Sequence, residues 1–195
     1  MSQTTRKTAR LVQYALLMAL LAVLGFTPLG FIMVPPVSIT ILHIPVILGA
    51  VLFGPGCGAL LGLEFGLISM VRAIMAPTPP IDMLFSPAAS GAPVQSIVMC
   101  ILPRVLLGVI AGALFLALKK LLRKESLAAG ISAAAAAVCH TVGVLGCLWF
   151  FFKALPLRQV FLAIVGVNGL LELAAAILLT ALICPPLRKF LKSGR

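Results

Sequence analysis

The sequence predicts an all-α fold, a polytopic membrane protein built as a bundle of six transmembrane helices with a short or broken second helix. Three observations predict it. Of 195 residues, 62% are hydrophobic and only 10% charged, and the mean hydropathy is +1.23. A soluble domain averages about 25% charged residues and about half apolar ones, so lipid must be the solvent for much of this surface. Apolar runs recur along the whole chain, separated by short segments rich in proline or in Lys and Arg. No polar stretch is long enough for a second unit, so residues 1–195 are expected to form one integral membrane domain.

The first apolar run starts at Leu11, behind Arg6, Lys7 and Arg10, and is predicted as a helix over about 11–33. It resembles the charged and hydrophobic regions of a signal peptide but lacks the small-x-small cleavage site, so it reads as a retained span. A second helix is predicted over about 40–54, short for a span of roughly 20 residues and interrupted by Pro45. Gly54, Pro55 and Gly56 mark a tight turn into a third helix over about 58–74. Ala76 to Pro93 carries five prolines, which excludes regular structure. The fourth helix is predicted over about 95–122, with a kink at Pro103. The fifth covers about 127–152, and the sixth about 159–183, ended by Pro185 and Pro186.

Charge sets the predicted orientation. Arg6, Lys7 and Arg10 precede helix 1. Lys119, Lys120, Arg123 and Lys124 join helices 4 and 5, and Arg188, Lys189, Lys192 and Arg195 close the chain. With six helices these eleven fall on one side, against Lys153 and Arg158 on the other. The positive-inside rule then places both termini in the cytoplasm and the two proline-rich loops outside, in a multi-pass protein of the plasma or inner membrane. The net charge of +11 therefore reflects lipid headgroups and topology rather than nucleic acid, for which no basic face with interleaved aromatics exists. Cys57, Cys100, Cys139, Cys147 and Cys184 stand singly with no metal-ligand spacing. No cofactor is predicted.

Polar residues inside apolar spans mark a site by default. They are Glu64 and Arg72 on helix 3, Arg104 on helix 4, His140 on helix 5, and Asn168 and Glu172 on helix 6. At ~1.5 Å per residue, Arg104 lies roughly 13 Å below the outer end of its helix, and His140 falls near the middle of the bilayer. Asn168 and Glu172 share a helix face. A guanidinium binds carboxylates bidentately, so Arg104 is the candidate anion ligand, with His140 and Asn168 supplying hydrogen bonds. The alternative makes these residues structural, with Glu64 paired to Arg72 and Glu172 to Arg104. Arg72 near a helix end can also snorkel to the headgroups. His43 reads as a helix-end residue.

Several chemistries are absent. There is no phosphate loop, so this chain does not hydrolyse ATP in that way. No His-Glu-x-x-His, Gly-x-Ser-x-Gly or paired-acid motif occurs, and an enzyme is not expected. A membrane enzyme using His140 would need a nucleophile or metal constellation that the sequence lacks. A secondary transporter would show internal repeats, which these halves do not.

The residues from Val37 to Pro55 (VSITILHIPVILGAVLFGP) resemble the substrate-binding (S) components of energy-coupling factor (ECF) vitamin transporters. Gly58 to Ser69 (GALLGLEFGLIS), Ala76-Pro77-Thr78, Phe85-Ser86-Pro87, Leu102 to Gly108 (LPRVLLG) and Gly166 to Gly169 (GVNG) continue the likeness over nearly the whole chain. Within that family it is most similar to the pantothenate branch. It departs from it in mid-helix 5, which reads Ala137-Val138-Cys139-His140-Thr141 where Asn is expected, and at Glu64, where an apolar residue is expected.

The resemblance implies a six-helix subunit with its pocket open to the outside, capped by the two proline-rich loops. It implies capture of a small water-soluble vitamin, best matched by pantothenate, for ATP-driven uptake by a transmembrane coupling subunit and two cytosolic ATPase subunits. Ala15 and Ala19 match the family's Ala-x-x-x-Ala docking motif, and small residues four apart do admit a close helix. Riboflavin, folate or another precursor is the alternative ligand. One Trp and one Tyr make a poor pocket for flat rings, which favours an aliphatic ligand. Arg104 would carry its carboxylate, and Glu172 would hold Arg104 or touch a ligand hydroxyl.

Overall fold

The computed structural model describes residues 3–34, 37–75, 82–152 and 169–193. In chain order it contains α1 (Gln3–Phe26), β1 (Phe31–Val34), β2 (Val37–Thr40), α2 (His43–Phe53) and α3 (Pro55–Met75). A 3₁₀ turn (Asp82–Phe85), α4 (Pro93–Leu121), α5 (Glu125–Phe151) and α6 (Gly169–Ser193) follow. The fold is the all-α membrane bundle expected, with one short hairpin added. Helices α1, α3, α4, α5 and α6 are long and apolar enough to cross a membrane. At 11 residues, about 16 Å of rise, α2 is not.

Helix α1 stops at Phe26, seven residues before the predicted end at 33. Thr27 precedes Pro28, and a proline ring disfavours helical backbone in the residue before it. The following residues, rich in Ile and Val, pair as an antiparallel hairpin with Phe31 opposite Thr40 and Val34 opposite Val37, a geometry that suits β-branched side chains. Arg72 reaches across from α3 and donates from Nη1 to the carbonyls of Gly25 (3.2 Å) and Thr27 (3.4 Å). A cation there complements the carbonyls exposed at the helix end, of which that of Thr27 also accepts the N–H of Gly30 at 3.4 Å.

Pro45 does not interrupt α2, contrary to the sequence reading. It falls in the first turn, where its missing N–H has no intrahelical partner to serve. Gly54, with φ +103°, then reverses the chain into α3. Between residues 76 and 93 the prolines leave room for the 3₁₀ turn, and Pro93 itself opens α4.

Helix α4 is the hub, touching α2, α3, α5 and the 3₁₀ turn. Its backbone lies directly on that of α3. A Cβ on Gly58 or Gly108 would collide with the other's carbonyl, and one on Gly62 would collide with the carbonyl of Arg104. This small-residue stripe is the close helix packing seen where lipid removes the hydrophobic drive. The alanines of α5 (Ala128, Ala129, Ala133 and Ala136, all fully buried) face the bundle.

At the other end of the sequence α6 runs through Pro185 and Pro186 to Ser193 instead of ending there. Its last turns are docked by tertiary contacts that offset the lost helix hydrogen bonds. Arg188 pairs with Glu125 at 3.3 Å and stacks 4.9 Å over the ring of Phe115. The predicted start of the sixth helix, including Asn168, lies outside the described residues.

Candidate functional site

The site is built around Phe65, which is fully buried on α3. The Gly62 contact presses the backbone of α4 onto α3, so the Arg104 side chain is laid across this ring, with Cζ 5.4 Å from its centroid. A second ring, Phe85 of the 3₁₀ turn, stands 5.3 Å from the same carbon. Two aromatic faces around one guanidinium stabilise the cation away from water. Arg104 is 6% exposed.

Pro103 fixes the direction of that side chain. With no N–H at 103, the carbonyl of Met99, four residues earlier, has no donor in the helix ladder. Arg104 Nη1 donates to it instead at 2.6 Å. The proline expected only to kink the helix thus supplies an acceptor that holds the arginine. The loop above is tied to α4 in the same economical way. Ser96 donates to the carbonyl of Leu84 (2.7 Å) and bonds the Ser90 hydroxyl (2.7 Å). Cys100 Sγ donates to the carbonyl of Phe85 (3.3 Å), which seats that ring over Arg104.

His140 joins from α5, its ring 5.9 Å from that of Phe65. Arg104 and His140 each stand 11 residues from their helix end, at Pro93 and Phe151, so they share a depth of about 16 Å. His140 lies within electrostatic reach of both Arg104 and His43. Arg104 Nε, His140 Nε2 and His43 Nε2 are enclosed and have no hydrogen-bond partner. An unpaired buried polar atom costs about 1–3 kcal/mol, and three gathered here make a polar surface suited to a ligand that is both anionic and hydrogen-bonding.

Residues 9–184 match the family described as the substrate-specific component of ECF transporters. The chain belongs to that family. It is also 36% identical over 163 residues to the pantothenic acid transporter PanT of Lactococcus lactis subsp. cremoris (strain MG1363), an alignment covering 79% of this chain and 80% of that protein.

In this substrate-specific component the polar residues named from the sequence divide into two groups. Arg104 and His140 come together, whereas Glu64, Arg72 and Glu172 do not join them. Glu64 stands one turn from Ile68, which packs on Gly25 of α1, so it lies on the α1 side of α3 with Oε2 unpartnered. Arg72 serves the end of α1. Glu172 Oε1 accepts the backbone N–H of Thr40 at 2.7 Å and does not pair with Arg104. Ala15 and Ala19 lie on the exposed face of α1, beside Leu16, which is 70% exposed. Sequence reasoning gives His43 a helix-end role instead, and it does not single out Phe65 or Phe85. Among the described residues no cluster of His, Cys, Asp and Glu could hold a metal ion.

Proposed function

We propose that this substrate-specific component captures pantothenate, with Arg104 gripping the carboxylate inside the membrane. The observation that carries the reading is an enclosed guanidinium with no carboxylate beside it among the described residues. Its Nη1 is anchored on Met99 and its Nε is left without a partner. Pantothenate brings the missing anion together with hydroxyl and amide groups, and PanT of Lactococcus lactis, by its name a pantothenic acid transporter, supports the choice.

Asn168, named from the sequence alone, adds a hydrogen bond to the ligand. Both termini face the cytoplasm, and the hairpin and 3₁₀ turn face outward over the site. The exposed Ala15 and Ala19 face of α1 docks on a transmembrane coupling subunit, whose two ATPase partners supply the energy this chain cannot.

Binding of pantothenate and of pantothenol, which has an alcohol in place of the carboxylate, tests the assignment. Wild-type protein should prefer the acid. Arg104→Ala should lose about ten- to hundred-fold in pantothenate affinity, the equivalent of 1.5–3 kcal/mol for a charge-assisted bond, and should no longer separate the two ligands. Arg104→Lys should recover little, because an ammonium cannot reproduce the fork. A folded Arg104→Ala protein that still prefers the acid removes this site.

A further inference from the structure

Helices α2 and α3 leave Gly54 as antiparallel neighbours, and the packing fixes their register. Ala50 lies against Gly58, four residues from Gly54 on either side, and Leu61 against Gly49. Continued outward, that register brings His43, 11 residues before Gly54, level with Phe65, 11 residues after it. His43 therefore stands at the depth of the Arg104 and His140 pair. It is 3% exposed, its Nε2 has no partner, and α2 touches both α4 and α5.

The junction that orients it is tied down from α6. Glu172 Oε1 accepts from the N–H of Thr40 at 2.7 Å, and Thr40 Oγ1 accepts from the N–H of Leu42 at 3.3 Å. The His43 ring lies within polar reach of the backbone of Thr40 and of Glu172. Removing the carboxylate takes away the hold of α6 on the last residue of β2 and leaves the Thr40 N–H without that acceptor. The junction is then kept by the hairpin pairing to Phe31 and the Ile41 N–H on the Gly30 carbonyl.

We propose that His43 and His140 form a second polar subsite for the hydroxyl-bearing end of the ligand, with Glu172 as the positioning residue that aims His43. The proposal rests on Arg104 taking the carboxylate at the other end. A neutral imidazole presents either an N–H or a lone pair at Nε2. Two of them can serve hydroxyls, which both donate and accept. The guanidinium recognises any acid, so this pair is what distinguishes a polyol acid from a plain one.

The test is calorimetric binding of pantothenate and of N-(3,3-dimethylbutanoyl)-β-alanine, which keeps the amide and carboxylate but lacks both hydroxyls. Wild-type protein should bind the hydroxyl-free compound at least about ten-fold more weakly, as expected for lost hydrogen bonds that leave buried partners unpaired. His43→Phe should weaken pantothenate about ten-fold, leave the hydroxyl-free compound nearly unchanged and so close the gap. His43→Gln, which restores a donor and an acceptor, should reopen it. Should His43→Phe fail to fold, Glu172→Leu against Glu172→Gln poses the same question, since only the amide can still accept from Thr40. The leucine variant should narrow the gap and the glutamine variant keep it. A gap of wild-type size in a folded His43→Phe or Glu172→Leu protein overturns the subsite and leaves the carboxylate reading intact. Failure of wild-type protein to bind pantothenate overturns both.

Discussion

Pro103→Ala separates the placing of Arg104 from its charge. In the native helix the Met99 carbonyl has no N–H at residue 103 to receive, and Arg104 Nη1 takes the place at 2.6 Å. Alanine supplies that N–H and draws the acceptor back into the helix ladder. A proline in a helix interior costs about 3 kcal/mol relative to alanine. Here the ring is buried and packs against Gly143 of α5, and deleting two ring methylenes forfeits about 0.8 kcal/mol each. The net expectation is a stabilisation of about 1 kcal/mol, a rise in Tm of about 2–4 °C. Ligand affinity should move the other way. An arginine without its anchor must be ordered on binding, at about 0.5–1.5 kcal/mol for a long side chain, so pantothenate binding should weaken about two- to ten-fold. Thermal unfolding without ligand and calorimetry with it, on the same detergent preparation, read the two effects independently. A higher Tm with unchanged affinity would refute the idea that the missing N–H pre-places the guanidinium.

Two further outcomes are expected. Ala15→Trp or Ala19→Trp should abolish pantothenate uptake in cells while calorimetric binding stays at the wild-type level, because each puts a large ring on the exposed face of α1; full transport by both variants would remove that face from docking. A cysteine placed at Lys120 should react with a membrane-impermeant reagent only after the cells are opened, as the clustering of Lys119, Lys120, Arg123 and Lys124 requires; labelling of intact cells would reverse the orientation.

Much of the fold was legible because lipid enforces simple rules. Long apolar runs had to be helices, since no other open segment satisfies its backbone in hydrocarbon, and α3, α4 and α5 match their predicted bounds within about three residues. Most of the errors fall at prolines, whose effect depends on position in the element. The exception is the start of α1, which begins at Gln3 rather than near 11 because the helix continues through the polar and basic residues ahead of the apolar run. Pro28 ended α1 early, Pro45 was harmless in a first turn, and Pro185 and Pro186 were carried through by the Arg188 contacts with Glu125 and Phe115. None of those contacts can be read from local sequence. The hairpin was hidden for a related reason, because an apolar β-branched run beside a helix looks like more helix.

The candidate site was legible in its charges and not in its framing. Arg104 and His140 announced themselves as ionisable groups inside apolar runs, but the same signal at Glu64, Arg72 and Glu172 led elsewhere, since direction around a helix decides what a side chain meets. His43 carries that signal too but reads from the sequence as a helix-end residue, because the register that brings it level with Phe65 is set by the packing of Ala50 on Gly58 and Leu61 on Gly49. Phe85 had no periodicity to place it, and it needed Ser96 and Cys100 to hold its turn onto α4. The relation between Pro103 and Arg104 was the nearest to hand. A proline in a span orphans the carbonyl four residues before it, and a long donor at the next position points back toward that turn, so the two residues together specify where the guanidinium rests before any partner helix is considered.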